Sequence, residues 1–328
     1  MMAEKKAVRS PNACIVLIAL LLLALAPAAP AAGWPEKPVR IIIPWPPGGS
    51  TDIVGRVLAA ELTNRFRQQV LIDNRAGAGS IVGLQIATAA PADGYTFMMT
   101  STAYGFLIDK PKAPVDLVNS FAPVAMIGFG DSGIVVHPSL PVKTVKELID
   151  LARKRPGEIL YASSGIGGFP HMNTELFKFK TGVNLVHVPF KGGGPATADL
   201  VAGHTQMQIP ALVTAMPFIQ SGRLRLIATG GPQRNPSHPG VPTIAETVPG
   251  YESRIWWGVF APPKTPPELI ARFHAETLEV ISAPGFQKRL EEQGGEVVKM
   301  SSAEFGRLMV SEQNKWLEVI RAAGIKGE

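Results

Sequence analysis

One pattern recurs along this chain and limits its fold more than any other feature. A short β-branched run is followed by a break of glycine, proline or small hydroxyl residues, and then by apolar residues at helical spacing. Residues 39–43 (VRIII) read as a buried strand and 46–49 (PPGG) as its break, with Ser50 or Thr51 capping a helix over 52–65. Val54, Val57, Leu58 and Leu62 form the apolar face of that helix. A strand at 70–72, a glycine turn at 76–79, a helix over 80–89, a turn at 91–94 and a strand at 95–99 continue the alternation. Strand, helix, strand, helix, strand is the order of a doubly wound parallel sheet.

The alternation restarts near Ile134. Strands are predicted at 134–136, 159–162, 185–188, 207–209 and 224–228. Helices are predicted from a capping box at Thr144 and Glu147 to Arg155, over 170–180, and near 196–201. A strand at 257–260 and two helices return to the first unit. One of these opens at a capping box of Thr265 and Glu268 with Pro266 at its first position, the other at Ser301 and Glu304. The expected fold class is therefore α/β, two doubly wound sheets in two lobes. Lobe 1 takes residues 32–131 and 251–328, and lobe 2 takes 132–250. Lobes joined by crossing segments suit a hinged clamp around a ligand.

Residues 1–31 read as a secretory signal peptide. Lys5, Lys6 and Arg9 precede an uncharged apolar run over 13–26, followed by small residues, with cleavage after Ala31 or Ala28. The run is shorter than the roughly 20 residues that span a bilayer. Cys14 is the single cysteine and lies at the start of that run, so the mature chain has no thiol for a disulfide, a metal or nucleophilic catalysis. The chain is expected to be exported to the periplasm. What remains has 29 basic and 25 acidic residues, scattered rather than striped. That mild positive balance favours small anions and does not match a nucleic-acid surface.

Three loops share one design for holding such an anion. They are 46–52, 100–104 and 163–171, each running from a strand through small or glycine residues into a helix. In open α/β sheets the ligand crevice lies at the carboxyl ends of the strands, where helix N-termini present unpaired N–H groups. The candidate ligand residues are Pro47, Gly48, Gly49, Ser50, Thr51, Asp52, Ser101, Thr102, Ser163, Ser164, Gly165, Gly168, His171 and Lys191. Asp52 has two readings, a carboxylate holding its helix start or a ligand contact, and the structural role is favoured. Lys191 either attracts the anion or is a solvated loop lysine, and the solvated reading is favoured.

Enzyme signatures fail individually. Residues 77–83 (GAGSIVG) miss the dinucleotide spacing by one residue and lack an acidic partner downstream. There is no P-loop and no G-x-S-x-G elbow. His171 and Glu175 share a helix face at i, i+4, but two ligands do not close a metal site. No cofactor, metal or catalytic residue is expected.

Residues 34–52 (WPEKPVRIIIPWPPGGSTD) resemble the mature start of the substrate-binding proteins of tripartite tricarboxylate transporters, also called the Bug family. Further matches lie at 73–79 (DNRAGAG), 91–96 (PADGYT), 187–192 (HVPFKG), 241–246 (VPTIAE) and 261–266 (APPKTP). The resemblance spans nearly the whole mature chain. It implies a type II periplasmic-binding-protein fold, capture of a carboxylate (a di- or tricarboxylate, an acidic amino acid or an aromatic acid), and a large and a small integral membrane subunit as partners. Its ligand loops fall on residues 47–52, on Ser101 and Thr102, and on Ser163, Ser164, Gly165, Gly168 and His171. The chain departs from the family where Ile209, Pro210 and Ala211 replace a Phe-Asp-Asn-like stretch, and where residues 105–113 lack a Tyr-Asp-Pro step. The first departure points to a pocket less polar on one side, suited to a ligand without a basic amine. The alternatives are a ligand-presenting sensor subunit with the same binding chemistry and an exported α/β enzyme. A monomer is expected.

Overall fold

A computed structural model describes residues 33–102, 116–322 and 324–325. The expectations for the signal peptide, Cys14 and residues 103–113 lie outside the described residues. Residues 33–36 end a short first unit, and the fold below belongs to the unit beginning at Lys37.

Two sheets organise that unit. The larger has six strands in the order β11-β4-β10-β3-β1-β2. These are β1 (Val39–Ile43), β2 (Val70–Asn74), β3 (Thr96–Ser101), β4 (Ala122–Asp131), β10 (Arg254–Ala261) and β11 (Gly295–Val297). The smaller has five, in the order β7-β6-β8-β5-β9. These are β5 (Gly133–Val136), β6 (Leu160–Ser163), β7 (Val186–Pro189), β8 (Met207–Gln208) and β9 (Arg225–Thr229). The fold class is α/β with two sheets, as expected from sequence. Both sheets are mixed rather than purely parallel. β1, β2 and β3 pair in parallel, but β10 runs antiparallel to β3 and β4.

Side-chain alternation decides which helices each face receives. In the large sheet Ile42 and Met98 join a core with Leu84 and Ala87 of α2 (Ile81–Thr88) and Phe305, Met309 and Trp316 of α9 (Ser302–Ala322). The neighbouring positions face the other way. Phe97 packs on Phe273 of α7 (Pro267–Ser282) with ring centroids 3.9 Å apart and the rings tilted by 31°. Gly55 of α1 (Ser50–Phe66) lies against Ile43 and Met99. In the small sheet Ile134, Tyr161 and Met207 pack under α3 (Val145–Lys154) and α4 (Phe169–Thr181). Val135 packs against α5 (Gly193–Ala202) and α6 (Leu212–Gln220) on the opposite face.

Only Ser132 separates β4 in one sheet from β5 in the other. A second crossing runs beside it. Gly230 N–H donates to Ser132 O (2.8 Å), Ser253 N–H to Gly230 O (2.9 Å), and Ser132 Oγ to Ser253 O (3.0 Å).

Several sequence expectations are corrected. The start of α1 is Ser50 with Gly49 as N-cap, so neither Ser50 nor Thr51 caps it. Thr265 does not cap α7, because its hydroxyl donates to Pro262 O and the helix starts at Pro267. The Ser301–Glu304 box forms. β4, β11, α6 and α8 (Pro284–Glu291) were not foreseen.

Gly258 in β10 leaves room for the Phe305 ring, which sits 5.9 Å from Trp256 and 5.1 Å from Phe260, centroid to centroid. A Cβ at position 258 would enter that ring. Gly258→Ala is therefore expected to cost about 1–3 kcal/mol by overpacking, read as a lowered urea midpoint with an unchanged slope.

Candidate functional site

The loops at the carboxyl ends of β1, β3, β6 and β8 meet in a narrow cavity of about 50 Å³ between the two sheets. Gly49, Ser50, Thr51, Ser101 and Thr102 line it from the large sheet. Ser164, Phe169, Pro170, Gly193, Gln208, Pro210, Ala211 and Thr214 line it from the small one. Trp45 and Ile255 complete the wall, and no lining side chain carries a charge.

Four helices begin at this wall. Their N-caps are Gly49 (α1), Gly168 (α4), Gly192 (α5) and Ala211 (α6), and none receives a side-chain capping bond. The first N–H groups of a helix have no partner within it, and the dipole adds partial positive charge there. The cavity thus collects positive ends without collecting cations. An anion is the ligand this arrangement favours.

Hydrogen bonds fix the hydroxyls. Thr51 Oγ1 donates to Ser101 Oγ at 2.8 Å, joining α1 to β3. Thr102 Oγ1 accepts from Trp256 N–H at 3.0 Å, which ties the end of β3 to β10. Gly168 has no side chain because a Cβ there would meet Ser164 Oγ, so that hydroxyl can face the cavity.

The candidate residues from sequence divide three ways. Gly49, Ser50, Thr51, Ser101, Thr102 and Ser164 come together on the cavity wall. Gly165 and Lys191 instead line an outer groove of about 830 Å³, which shares Trp45 and Ser164 with the inner cavity. Pro47, Gly48, Asp52, Ser163, Gly168 and His171 line neither. Asp52 accepts from Gly48 N–H (2.9 Å) and Arg56 Nε (3.0 Å). Burial opposes its charge, but the Arg56 and Gly48 hydrogen bonds prevail and hold the carboxyl below its ordinary range. That charge braces the start of α1.

Ser163 and His187 lie 2.5 Å apart, Oγ to Nε2, the spacing of a nucleophile and base. Ser163 is fully buried, faces neither cavity and is also bonded to Gly165, so the pair locks the loop and is not presented to a solute. His171 accepts from Gly167 N–H (3.1 Å) and stacks on His187 with centroids 4.3 Å apart. Glu175 turns to Tyr161 Oη and Lys178 Nζ (2.6 and 2.7 Å), away from any metal role with His171. Among the described residues no three metal-ligating side chains cluster.

Trp45, Phe169, Pro170, Gly193, Gln208, Thr214 and Ile255 were missed. Trp45 and Gly193 adjoin glycine-rich motifs and could have been read from them. Gln208 carried no signal, being one polar residue in a two-residue strand.

The profile of the family described as "Tripartite tricarboxylate transporter family receptor" matches residues 54–325. BugT of Bordetella pertussis is 31% identical, over 95% of this chain and 98% of its own length. A solved R. palustris protein, Rpa4515 with adipate, is 34% identical with a TM-score of 0.85, covering 89% of this chain and 99% of that one. MatC from Rhodopseudomonas palustris, with bound malate, is 26% identical with a TM-score of 0.82, covering 88% and 100%.

Burial pushes both imidazoles down, and the neighbouring His171 lowers His187 further, to about 4. Between that value and the unfolded one near 6.5 the unfolded chain binds protons the folded chain does not, so stability falls as pH drops through this window. The urea midpoint should decline from pH 7 to pH 4, and His187→Gln, which removes one of these titrations, should make the decline shallower.

Proposed function

This chain belongs to the tripartite tricarboxylate transporter receptor family, the Bug solute-binding proteins, and from that premise we propose that it captures a small carboxylate without a basic amine. The observation that carries the ligand class is the meeting of four uncapped helix N-termini on an uncharged wall. Backbone N–H groups of these first turns, with the hydroxyls of Ser50, Ser101, Thr102 and Ser164, hold the carboxylate oxygens. Pro210 and Ala211 supply no carboxylate for an ammonium group, and Phe169 and Ile255 offer a hydrocarbon surface. The acids bound by Rpa4515 and MatC support this class.

Binding draws the two lobes together, with residues 32–131 and 251–328 moving against 132–250, and the closed form is delivered to a large and a small membrane subunit. A ligand shifts such an equilibrium only by its preference for the closed state, and a cavity lined from both sheets supplies that preference. Residues 1–31 direct export to the periplasm and are removed. No bond is made or broken in the solute, and the Ser163–His187 pair stands behind the wall.

A thermal-shift screen of the mature chain tests this reading. A carboxylate at about 100 times its dissociation constant adds roughly 2.7 kcal/mol to the folded state, while aspartate and glutamate should leave the midpoint unchanged. Tight binding of those amino acids with no response to plain acids would sink the proposal. Thr51→Val, which removes the donor that orients the Ser101 hydroxyl on the wall, is expected to weaken the best acid about tenfold.

A further inference from the structure

Two hydrogen-bond donors on the cavity wall have no acceptor among the described residues. Gln208 is fully buried at the end of β8. Its Oε1 accepts from Thr197 Oγ1 at 3.2 Å, while Nε2 has no partner. Trp45, which follows β1 in the other sheet, likewise has a buried Nε1 without a partner. Other buried polar atoms share this state, Thr229 Oγ1 and Trp257 Nε1 among them, but those residues do not line the cavity. A buried donor left unpaired is costly, so native structures match nearly all of them with protein, water or ligand. Both residues line the cavity.

We propose that Gln208 determines which acid is held. Its Nε2–H₂ donates to a second oxygen-bearing end of the solute from the small sheet, while the Ser101 and Thr102 hydroxyls hold the first carboxylate from the large one. Trp45 Nε1 is the supporting donor. This rests on the carboxylate reading above and deepens it. Amide nitrogen and indole nitrogen are donors only, so they select an acceptor and turn away an ammonium group. The solute class that follows is an acid with oxygen at both ends of a hydrocarbon middle, in preference to a monoacid of the same length. Discrimination of this kind is strong because a solute lacking the second oxygen leaves the donor buried and unpaired.

The test is calorimetric titration of the mature chain with four- to eight-carbon α,ω-dicarboxylates, adipate among them, and with monocarboxylates of matching length such as hexanoate. The unaltered chain should prefer its best diacid over the matching monoacid by about tenfold or more. Gln208→Met keeps the side chain's length and removes the donor. It should collapse that preference, as the loss falls on one hydrogen bond to the diacid. A preference that survives in Gln208→Met, or that is absent from the unaltered chain, overturns the role of Gln208 but not the carboxylate reading. No binding of any acid by the unaltered chain overturns both. Should Gln208→Met not fold, a crystal structure of the unaltered chain with its best diacid decides. A ligand oxygen within hydrogen-bond distance of Nε2 supports the proposal, and an amide facing only water overturns it.

Discussion

The unpaired N–H groups at the starts of four helices are the constraint around which the two sheets are arranged. Each helix must begin where its strand ends, and α1, α4, α5 and α6 all begin at the same cavity. Two helix starts elsewhere are closed by a side chain. Thr144 accepts from Glu147 N–H at α3, and Ser301 from Glu304 N–H at α9. At the cavity glycine or alanine stands in the N-cap position and no side chain answers. Leaving these donors open costs the empty protein some stability and gives the occupied one a site built from fixed dipoles. Because the wall holds no charged side chain, no cation has to be desolvated to receive an anion.

That economy depends on how the two sheets are joined. The crossings at Ser132 and at residues 230–253 are hydrogen-bonded to each other, so a change of angle between the sheets passes through both. Asp131 sits at the same place. Burial raises its carboxyl above the ordinary range even though Asn235 and Arg254 bond to it, at 2.8 and 3.2 Å. Arg254 also reaches Glu296 of β11 at 2.7 Å. A residue before one crossing and one just after the other are thus held in a single ion cluster. This ties the angle between the sheets to the edge of the large sheet.

The legible part of this chain was the part in which local pattern and tertiary role agree. β1, α1, β2 and β3 alternate cleanly, and their loops carry Gly49, Ser50, Thr51, Ser101 and Thr102 to the cavity. β4 was hidden because glycines interrupt its pattern. Gly128 lets the β11 backbone approach, and Gly130 makes space for the Trp257 ring. Those demands come from partners far away in sequence and leave no periodic trace. The helix start at Ser50 was misplaced for a related reason. Hydroxyl residues before an apolar run read as caps, whereas here Thr51 is spent on Ser101 across the sheet.

The loop at 163–171 shows the same conflict resolved in the other direction. Ser163, Gly168 and His171 share one motif with Ser164, but only Ser164 reaches the wall. His171 receives Gly167 N–H, Ser163 meets His187, and Gly168 clears the space that Ser164 Oγ occupies. Burial keeps both imidazoles neutral, so the ring stack behind the wall adds no charge of its own to the cavity. The motif is therefore a brace carrying one exposed hydroxyl. A sequence pattern marks the brace and the contact alike, because each fails without the other. Gln208 is the converse case. Its burial, its bond to Thr197 and its place on the wall are set by where β8 lies between β5 and β6, which only the assembled sheet defines.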